Sequence, residues 1–384
     1  MRAPSGAKTD ASVIFGMNLP ARVYTRSRPA ETDVGVKIGY GGPLISEEAR
    51  AMEHRPFGQT GLEVSAIGFG CWEIGGGYGS IEAEEFPRAI GRALDLGINC
   101  FDTAEGYGMG ASERALGEAL GSRRDEAIVV SKFGMNYRDK PNLRDSSRDR
   151  VMTTIDNTLK NLGTDYVDVY LVHWPDRTVP FEETMTALDE LVKDGKVRFV
   201  GLSNFKREEI EACMQVRRVD VVQYGWHLFD RRMQREILPY CEENGIGFMA
   251  YGSLAFGLLT GTFSEETTFA KDDWRSRAGG SMAGMRLFDA LFGAEMFPRN
   301  LQVVEELKGL AAKYGKSLPQ LALRWAISHP GVSTSLVGCR SVAEVEDNAG
   351  AIGWSISDDD LAEIDAIFHR HGVNPVPDYW IEDA

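Results

Sequence analysis

From Arg55 onward, short apolar runs alternate with segments in which apolar residues recur at every third or fourth position. The short runs are continuously apolar, which is typical of strands buried on both faces of a sheet. We predict eight such strands, at Ala66–Phe69, Asn99–Phe101, Ala127–Ser131, Tyr166–Val172, Val197–Gly201, Asp220–Gln223, Gly247–Tyr251 and Ser335–Val337.

Amphipathic helices are predicted between these strands. In Arg148–Leu162, for example, Val151, Ile155 and Leu159 are spaced four residues apart and share one helix face. Other helices are predicted near residues 82–95, 112–120, 182–193, 207–216, 232–243, 301–313, 318–328 and 342–350, with an extra C-terminal helix at Asp358–Arg370.

The alternation of buried strands and helices predicts an α/β fold with a parallel sheet covered by helices. Eight repeats favour closure into a (β/α)8 TIM barrel over an open doubly wound sheet. Turn residues at Gln59–Gly61 lie between two short strand-like segments and predict an N-terminal hairpin. Gly252–Asn300 is too long for an ordinary connection, so we expect a long functional loop after the seventh strand.

The first 51 residues differ from the rest, because they mix Pro, Gly, Ser and Arg without a sustained period. We expect residues 1–51 to form a disordered or loosely attached extension, and residues 52–384 to form the barrel. Two alternatives stay open for the extension. It faintly resembles an Arg-rich organellar transit peptide, and translation from Met52 is the second alternative.

Composition narrows the class of protein. The 384 residues carry a formal net charge of −15 with no dense run of Lys or Arg, which argues against a nucleic-acid partner. No signal peptide is visible, and no apolar run reaches the ~18 residues of a membrane-spanning helix, so we expect no membrane partner. Five cysteines without a CxxC pair suit a reducing compartment. We therefore expect a soluble cytoplasmic protein.

Side chains of four chemical kinds follow three consecutive predicted strands. Asp102 and Tyr107 follow the second strand, Lys132 follows the third and His173 follows the fourth. Because active residues of β/α barrels lie at the carboxyl ends of the strands, we expect these four side chains to meet at one end of the barrel.

These four residues suit the reduction of a carbonyl group, which requires a hydride and a proton. A tyrosine with an ordinary pKa near ~10 is a slow proton donor, and a neighbouring ammonium group lowers that pKa. We expect Lys132 to activate Tyr107 as general acid, Asp102 to keep Lys132 charged, and His173 to orient the substrate oxygen. Taken singly, the aspartate, lysine and histidine also fit a helix cap, a solvated amine and a hydrogen-bonded imidazole.

Groups that suit a nicotinamide cofactor follow the later strands. Ser203, Asn204 and Gln223 can bind a carboxamide, which offers one acceptor and two donors. Tyr251 can stack on the nicotinamide ring. The glycines of Gly252–Leu259 permit close backbone approach, so we expect this segment to cross the pyrophosphate.

The last predicted strand leads through Gly338 and Arg340 into a helix. A helix N-terminus favours phosphate, and arginine suits a terminal phosphate geometrically, which predicts the 2′-phosphate of NADP and hence NADPH as cofactor. The alternative for Arg340 is a solvated residue at the helix start. We find neither a GxGxxG fingerprint between a strand and a helix nor a set of metal ligands, so we expect no metal.

These motifs together resemble the aldo-keto reductase family over about residues 52–370. The matching segments, in the family's order, are Asp102-Thr103-Ala104, Tyr107-Gly108, Ser131-Lys132, His173-Trp174, Gly201–Asn204, Gln223-Tyr224 and Gly338 through Asn348. The resemblance implies a (β/α)8 barrel, NADPH-dependent reduction of aldehydes and ketones, and the same four catalytic residues. It implies cofactor contacts at Ser203, Asn204, Gln223, Tyr251, Ser253, Leu254, Gly257, Leu259, Gly338, Arg340, Glu344 and Asn348.

The chain departs from the family pattern at Glu344, where the family often has glutamine. Ser341-Val342-Ala343-Glu344 also matches the capping-box pattern of a helix start. Contact with the adenine group and capping of the helix are therefore both open for Glu344.

The substrate is not specified by these motifs beyond a small carbonyl compound. Trp72, Trp174 and Trp226 each follow a predicted strand and can either line an aromatic pocket or pack at its edge. Two other functions stay open: a non-catalytic NADPH-binding regulatory subunit of the same fold, and a Schiff-base aldolase. The aldolase requires a neutral Lys132, which Asp102 opposes. The sequence does not predict an oligomeric state.

Overall fold

The computed structural model describes residues 51–75, 84–135, 144–269, 273, 275 and 286–380. Its strands are β1 (His54–Pro56), β2 (Glu63–Ser65), β3 (Ile67–Gly70), β4 (Cys100–Asp102), β5 (Ile128–Phe133), β6 (Val167–Val172), β7 (Val197–Ser203), β8 (Val221–Gly225), β9 (Gly247–Tyr251) and β10 (Thr334–Gly338). Its helices are α1 (Glu85–Asp95), α2 (Ala111–Leu120), α3 (Arg148–Leu162), α4 (Phe181–Lys193), α5 (Arg207–Met214), α6 (Ile237–Asn244), α7 (Arg286–Phe292), α8 (Met296–Lys313), α9 (Leu318–Ser328), α10 (Val342–Ala349) and α11 (Asp358–Arg370).

Strands β3 to β10 form a closed barrel in which every neighbouring pair is parallel. The order around the barrel follows the chain, and β10 closes it against β3. The short strands β1 and β2 pair antiparallel, with Arg55 opposite Val64. The predicted (β/α)8 TIM barrel, N-terminal hairpin and C-terminal helix are confirmed.

The barrel is filled by side chains that alternate along each strand. In β6, Val169 and Leu171 point into the barrel, where they join Val130 of β5. The intervening Tyr170 belongs to the apolar layer between the strands and the surrounding helices. This period of two is what a strand buried on both faces requires.

The hairpin covers the amino end of the barrel. Phe57 and Val64 are fully buried and belong to the same cluster as the interior strand residues. The backbone of Gln59 bonds to Gly245, just before β9 begins. Because this end is covered by apolar side chains, the opposite, carboxyl end is the one that presents polar groups.

Three predicted strand ends and the predicted long loop differ from the structure. Asp102, Lys132 and Ser203 lie within β4, β5 and β7 rather than after them, because their polar groups are paired at the carboxyl end of the barrel. The long connection after β9 is also not a single loop. It contains a 3₁₀ segment at Ala255–Thr260 and the helix α7, whose apolar residues are buried.

The expected N-terminal extension, residues 1–51, lies outside the described residues except for Ala51. It therefore stays a prediction. Within the described ranges, no helix combines the length and the apolar character that a membrane crossing requires.

Candidate active site

Lys132 lies at the centre of the polar groups at the carboxyl end of the barrel, and its side chain is fully buried. Its Nζ donates to Asp102 Oδ2 at 2.6 Å, to the Thr103 carbonyl at 2.9 Å and to the Tyr107 hydroxyl oxygen at 3.1 Å. An ammonium group has three donors and no acceptor. These three bonds therefore engage every donor of Lys132.

Asp102 and Lys132 form a buried ion pair. Burial is the main influence on both groups: it lowers the pKa of Lys132 and raises the pKa of Asp102. The opposite charge of each partner offsets part of this effect. Asp102 Oδ1 also accepts a 2.6 Å bond from the Gln223 amide, so both carboxylate oxygens have donors. The ion pair is thus hydrogen-bonded to Thr103, Tyr107 and Gln223.

Tyr107 lies beside this pair on the connection between β4 and α2. Lys132 Nζ is 4.7 Å from the centre of the Tyr107 ring as well as within hydrogen-bond distance of its hydroxyl oxygen. Because Lys132 can only donate, the oxygen of Tyr107 is the acceptor in this contact. The hydroxyl hydrogen of Tyr107 is therefore directed to a different acceptor.

His173 faces Tyr107, with ring centres 5.7 Å apart in an edge-on arrangement. Burial lowers the pKa of His173 well below its usual value, and the charge of Lys132 acts in the same direction. The imidazole is consequently neutral near pH 7, with one donor and one acceptor nitrogen. Its Nδ1 is enclosed and has no hydrogen-bond partner among the described residues. The structure thus brings the four predicted catalytic residues together.

Asn204 connects the catalytic residues to the predicted nicotinamide site. Its amide nitrogen donates to the His173 carbonyl at 3.1 Å and to Ser203 Oγ at 3.0 Å, while its oxygen accepts from the Tyr251 hydroxyl at 2.9 Å. Its backbone is left-handed, with φ of 67°, a conformation that asparagine tolerates better than most residues. Ser203 Oγ in turn donates to the Gln223 carbonyl at 2.9 Å. The predicted carboxamide-binding residues are therefore one connected network.

The predicted pyrophosphate segment begins at Gly252, which has a φ of 66°. Ala255 and Phe256 are also left-handed, with φ of 48° and 56°. Such backbone is costly for residues other than glycine and tends to occur at ligand-binding sites. Ser253 is buried and accepts a 2.8 Å bond from Ser335 of β10, which attaches the segment to the barrel.

The remaining predicted residues of this segment differ in what they can contribute. The Leu259 side chain is fully buried in the apolar cluster formed with α8 and α9. Any contact of Leu259 with the cofactor would therefore be made by its backbone, and the expected contact stays a prediction. Leu254 immediately precedes the 3₁₀ segment. Gly257 lies within it and has a φ of 100°.

The junction between β10 and α10 carries the predicted phosphate-binding residues. The Glu344 N–H donates to Ser341 Oγ at 3.3 Å, which is half of the predicted capping box. The other half was wrong: the Glu344 carboxylate accepts from the backbone N–H of Arg340 at 2.7 Å instead of that of Ser341. It also pairs with the Arg340 guanidinium at 3.0 Å. Asn348 is buried and its amide donates to Cys339 Sγ at 3.3 Å.

The three tryptophans predicted to line the substrate pocket do not share one location. The ring of Trp72 is 6.4 Å from that of Tyr107, and Trp174 is partly buried with the Arg144 guanidinium over its face. For Trp226, the structure favours the packing role that the sequence also allowed, because its side chain is buried. It stacks on Trp325 at 5.0 Å and donates its indole N–H to the Ala326 carbonyl at 3.1 Å, so α9 satisfies both parts of its side chain.

Two residues near the site were not predicted. Phe256 packs edge-on against Trp72, with ring centres 6.3 Å apart, and so extends the aromatic contact between Trp72 and Tyr107. Glu73 lies on the 3₁₀ turn Trp72–Gly75 after β3, and one of its carboxylate oxygens is 1.8 Å from where a Cβ on Gly338 would be. Burial raises the pKa of Glu73 to about 7. Its position shortly after a strand was the signal available in the sequence.

The comparisons with known proteins agree with this geometry. A sequence model of the Aldo/keto reductase family matches residues 66–369, a range that contains all eight barrel strands. Aldo-keto reductase YhdN of Bacillus subtilis (strain 168) is 37% identical over 329 residues, which are 85% of this chain and 96% of that protein.

Solved structures are similar over most of the chain. The glycerol dehydrogenase AKR11B4 from Gluconobacter oxydans has a TM-score of 0.74 and 33% identity, covering 86% of this chain and 99% of that one. An aldo-keto reductase from Klebsiella pneumoniae in complex with NADPH has a TM-score of 0.66 and 27% identity, covering 86% and 98%. With a matching family model, close relatives and the clustered site residues, the chain belongs to the aldo/keto reductase family.

Proposed function

We propose that this protein reduces aldehydes or ketones to alcohols, with NADPH as hydride donor and Tyr107 as proton donor. The chain is an NAD(P)H-dependent oxidoreductase of the aldo/keto reductase family. The observation that carries the proposed roles is the 3.1 Å contact from Lys132 to Tyr107, supported by the 2.6 Å ion pair between Lys132 and Asp102.

The described residues fit a bound dinucleotide along the carboxyl ends of β7 to β10. Ser203, Asn204 and Gln223 would hold the carboxamide, and Tyr251 would lie against the nicotinamide ring. The backbone of the segment from Gly252 to Leu259 would meet the pyrophosphate, and the start of α10 with Gly338, Arg340, Glu344 and Asn348 would meet the adenosine end. When bound, the cofactor supplies the hydride.

The protein's own residues then handle the proton. As the carbonyl carbon gains hydride, its oxygen gains a proton from Tyr107, and the phenolate that forms is stabilised by the Lys132 ammonium at 3.1 Å. Asp102 keeps Lys132 charged. The neutral His173 donates a hydrogen bond to the substrate oxygen and holds it near Tyr107.

The substrate is proposed to bind between the aromatic side chains next to Tyr107. Trp72 and Phe256 form one wall, and Trp174 lies beside His173. Such a wall is suited to the apolar part of a small carbonyl compound.

Replacement of Tyr107 by phenylalanine tests the proposal, because it removes the proton donor and keeps the ring. We expect kcat for a panel of aldehydes and ketones to fall by about 10²- to 10⁴-fold, while NADPH affinity measured by fluorescence stays within a few-fold. Tyr166→Phe is the matched control, since Tyr166 packs between Arg124 and Arg198 away from the site. Near-normal turnover by Y107F would contradict the role of Tyr107.

The same assay separates the two rival functions. NADPH binding without NADPH oxidation across the whole panel would favour a non-catalytic regulatory subunit. Covalent trapping of a carbonyl compound on Lys132 by borohydride would favour an aldolase, although a lysine whose three donors are all bonded is poorly suited to nucleophilic attack.

A cytoplasmic location is part of the proposal. All five cysteines are free and buried, as suits a reducing compartment. Fractionation of cells that express the chain, with recovery of the protein outside the cytosolic fraction, would contradict it.

A further inference from the structure

Four charged or backbone groups meet where β10 passes into α10, at the adenosine end of the proposed cofactor site. Arg340 provides a guanidinium and a backbone N–H. Glu344 takes both of them, with bonds of 3.0 Å and 2.7 Å. A second acid, Glu73, lies against Gly338 in the same corner.

The Glu344 carboxylate therefore occupies the donors that an anion would need. The backbone N–H of Arg340 lies just before the N-cap residue Ser341 of α10, near the helix N-terminus that would favour a phosphate. The guanidinium is the one cationic side chain that the proposed function assigns to the 2′-phosphate of NADP. In the structure both are bonded to a carboxylate on the first turn of the helix.

Glu73 is an independent observation that the corner is acidic. Its Oε2 is enclosed and has no hydrogen-bond partner among the described residues. The charge of Arg340 lowers the pKa of Glu73, and that of Glu344 raises it, so all three groups act on each other electrostatically. Two carboxylic acids, Glu73 and Glu344, thus lie near the single guanidinium of Arg340.

NADPH and NADH differ at the group that would approach this corner. A 2′-phosphate carries negative charge, is repelled by carboxylates and must compete with Glu344 for Arg340. The 2′-hydroxyl of NADH is neutral and can donate to a carboxylate, which is how many NAD-binding sites use an acidic residue. An acid that holds Arg340 consequently weakens the advantage of NADPH.

We propose that Glu344 is a specificity-determining residue that lets this protein use NADH as well as NADPH, by holding Arg340 and adding negative charge beside the adenosine ribose. The inference rests on the proposed cofactor site and concerns only the choice between the two dinucleotides.

The test is direct binding of NADPH and NADH, followed by fluorescence in the full chain without substrate. We expect the wild-type affinities to lie within about 10-fold of each other. In Glu344→Gln, which keeps the side-chain size and a hydrogen-bond acceptor, the ratio of NADPH to NADH affinity should rise about 10-fold. Glu346→Gln is the matched control on the same helix, because Glu346 forms a similar exposed pair with Arg92, and it should leave the ratio unchanged.

A double-mutant cycle distinguishes this role from a structural one. Arg340→Ala should weaken NADPH much more in the E344Q background than in the wild type, because only the variant leaves the guanidinium for the phosphate. A loss of helix stability in E344Q would change both affinities alike and leave their ratio constant.

The outcomes separate the two proposals. Equal changes for both dinucleotides in E344Q, or a wild type that already prefers NADPH by 100-fold or more, would overturn the role of Glu344 and leave the reductase proposal intact. A wild type that binds neither dinucleotide would overturn the proposed function and, with it, this inference.

Discussion

Replacing Asp102 with asparagine removes one negative charge from the buried site and keeps the side-chain shape. In the wild type, Lys132 Nζ donates to one carboxylate oxygen and the Gln223 amide donates to the other, both at 2.6 Å. An asparagine side chain has one oxygen, so its NH₂ group must face one of these donors. The variant therefore loses a hydrogen bond and the counter-charge of Lys132 together.

The magnitude follows from the complete burial of Lys132. Removing one partner of a buried ion pair costs about 3–5 kcal/mol of unfolding free energy when the remaining charge stays unpaired. Burial already lowers the pKa of Lys132, and Asp102 is the largest influence that raises it. Without Asp102 the pKa falls further, so Lys132 loses its proton at lower pH. We expect D102N to lose about 3 kcal/mol of unfolding free energy and at least 100-fold in kcat. On the alkaline side of the pH profile, kcat should begin to decrease at a lower pH than in the wild type.

Urea unfolding measures the first quantity, and kcat against pH with a reactive aldehyde measures the others. Asp168→Asn is the matched control, because the Asp168 side chain is also buried and pairs with Arg124 and Arg198 at 2.8 Å near the start of β6. D168N should lose stability but keep the wild-type pH profile. The proposed role of Asp102 is refuted if D102N keeps the wild-type kcat and pH profile, or if D168N loses as much activity as D102N.

The other predictions concern single groups around the site. Burial raises the pKa of Glu73 to about 7 from 4.5, so the folded protein binds a proton that the unfolded chain releases, and stability should fall as pH rises from about 4.5 to 7. Glu73→Gln should remove up to ~3 kcal/mol of that fall, measured by urea unfolding at pH 5 and 8. An unchanged pH dependence would contradict this. Asn204→Ala removes the bonds to the His173 carbonyl and the Tyr251 hydroxyl, and should weaken NADPH binding about 10-fold or more; unaltered affinity would mean that this network does not position the cofactor. Trp226→Phe should lower Tm and leave KM for every carbonyl substrate unchanged, because Trp226 packs on α9. A raised KM would instead indicate that Trp226 lines the substrate pocket.

The barrel could be predicted because its signal is repeated. Eight continuous apolar runs separated by helical periodicity leave few alternatives to a closed parallel sheet. The strand ends were placed too early at Asp102, Lys132 and Ser203, since a hydrophobicity pattern ends a strand at its first polar residue. Here the strand continues, because each polar group finds partners inside the barrel.

Individual side-chain directions could not be predicted from position after a strand. Trp72 and Trp226 both follow a barrel strand closely, yet one lies 6.4 Å from Tyr107 and the other stacks on Trp325. The difference depends on the path of the backbone after the strand and on whether a nearby helix offers a carbonyl to the indole N–H. Neither is encoded in the local pattern.

The partner of the Glu344 carboxylate could not be predicted either. The capping-box residues were visible in the sequence, but which backbone N–H the carboxylate binds depends on the turn before α10.

The hydrogen bonds of this cluster favour Tyr107, rather than another polar group nearby, as the proposed proton donor. Lys132 has all three donors bonded, and Asp102 accepts at both oxygens. The neutral His173 has a single ring proton and a pKa well below its usual value, so it is a hydrogen-bond donor rather than an acid. The hydroxyl oxygen of Tyr107 already accepts from an ammonium group, so a phenolate formed there would be stabilised. Because these bonds exist before a substrate binds, little rearrangement is needed when charge develops on the phenolate.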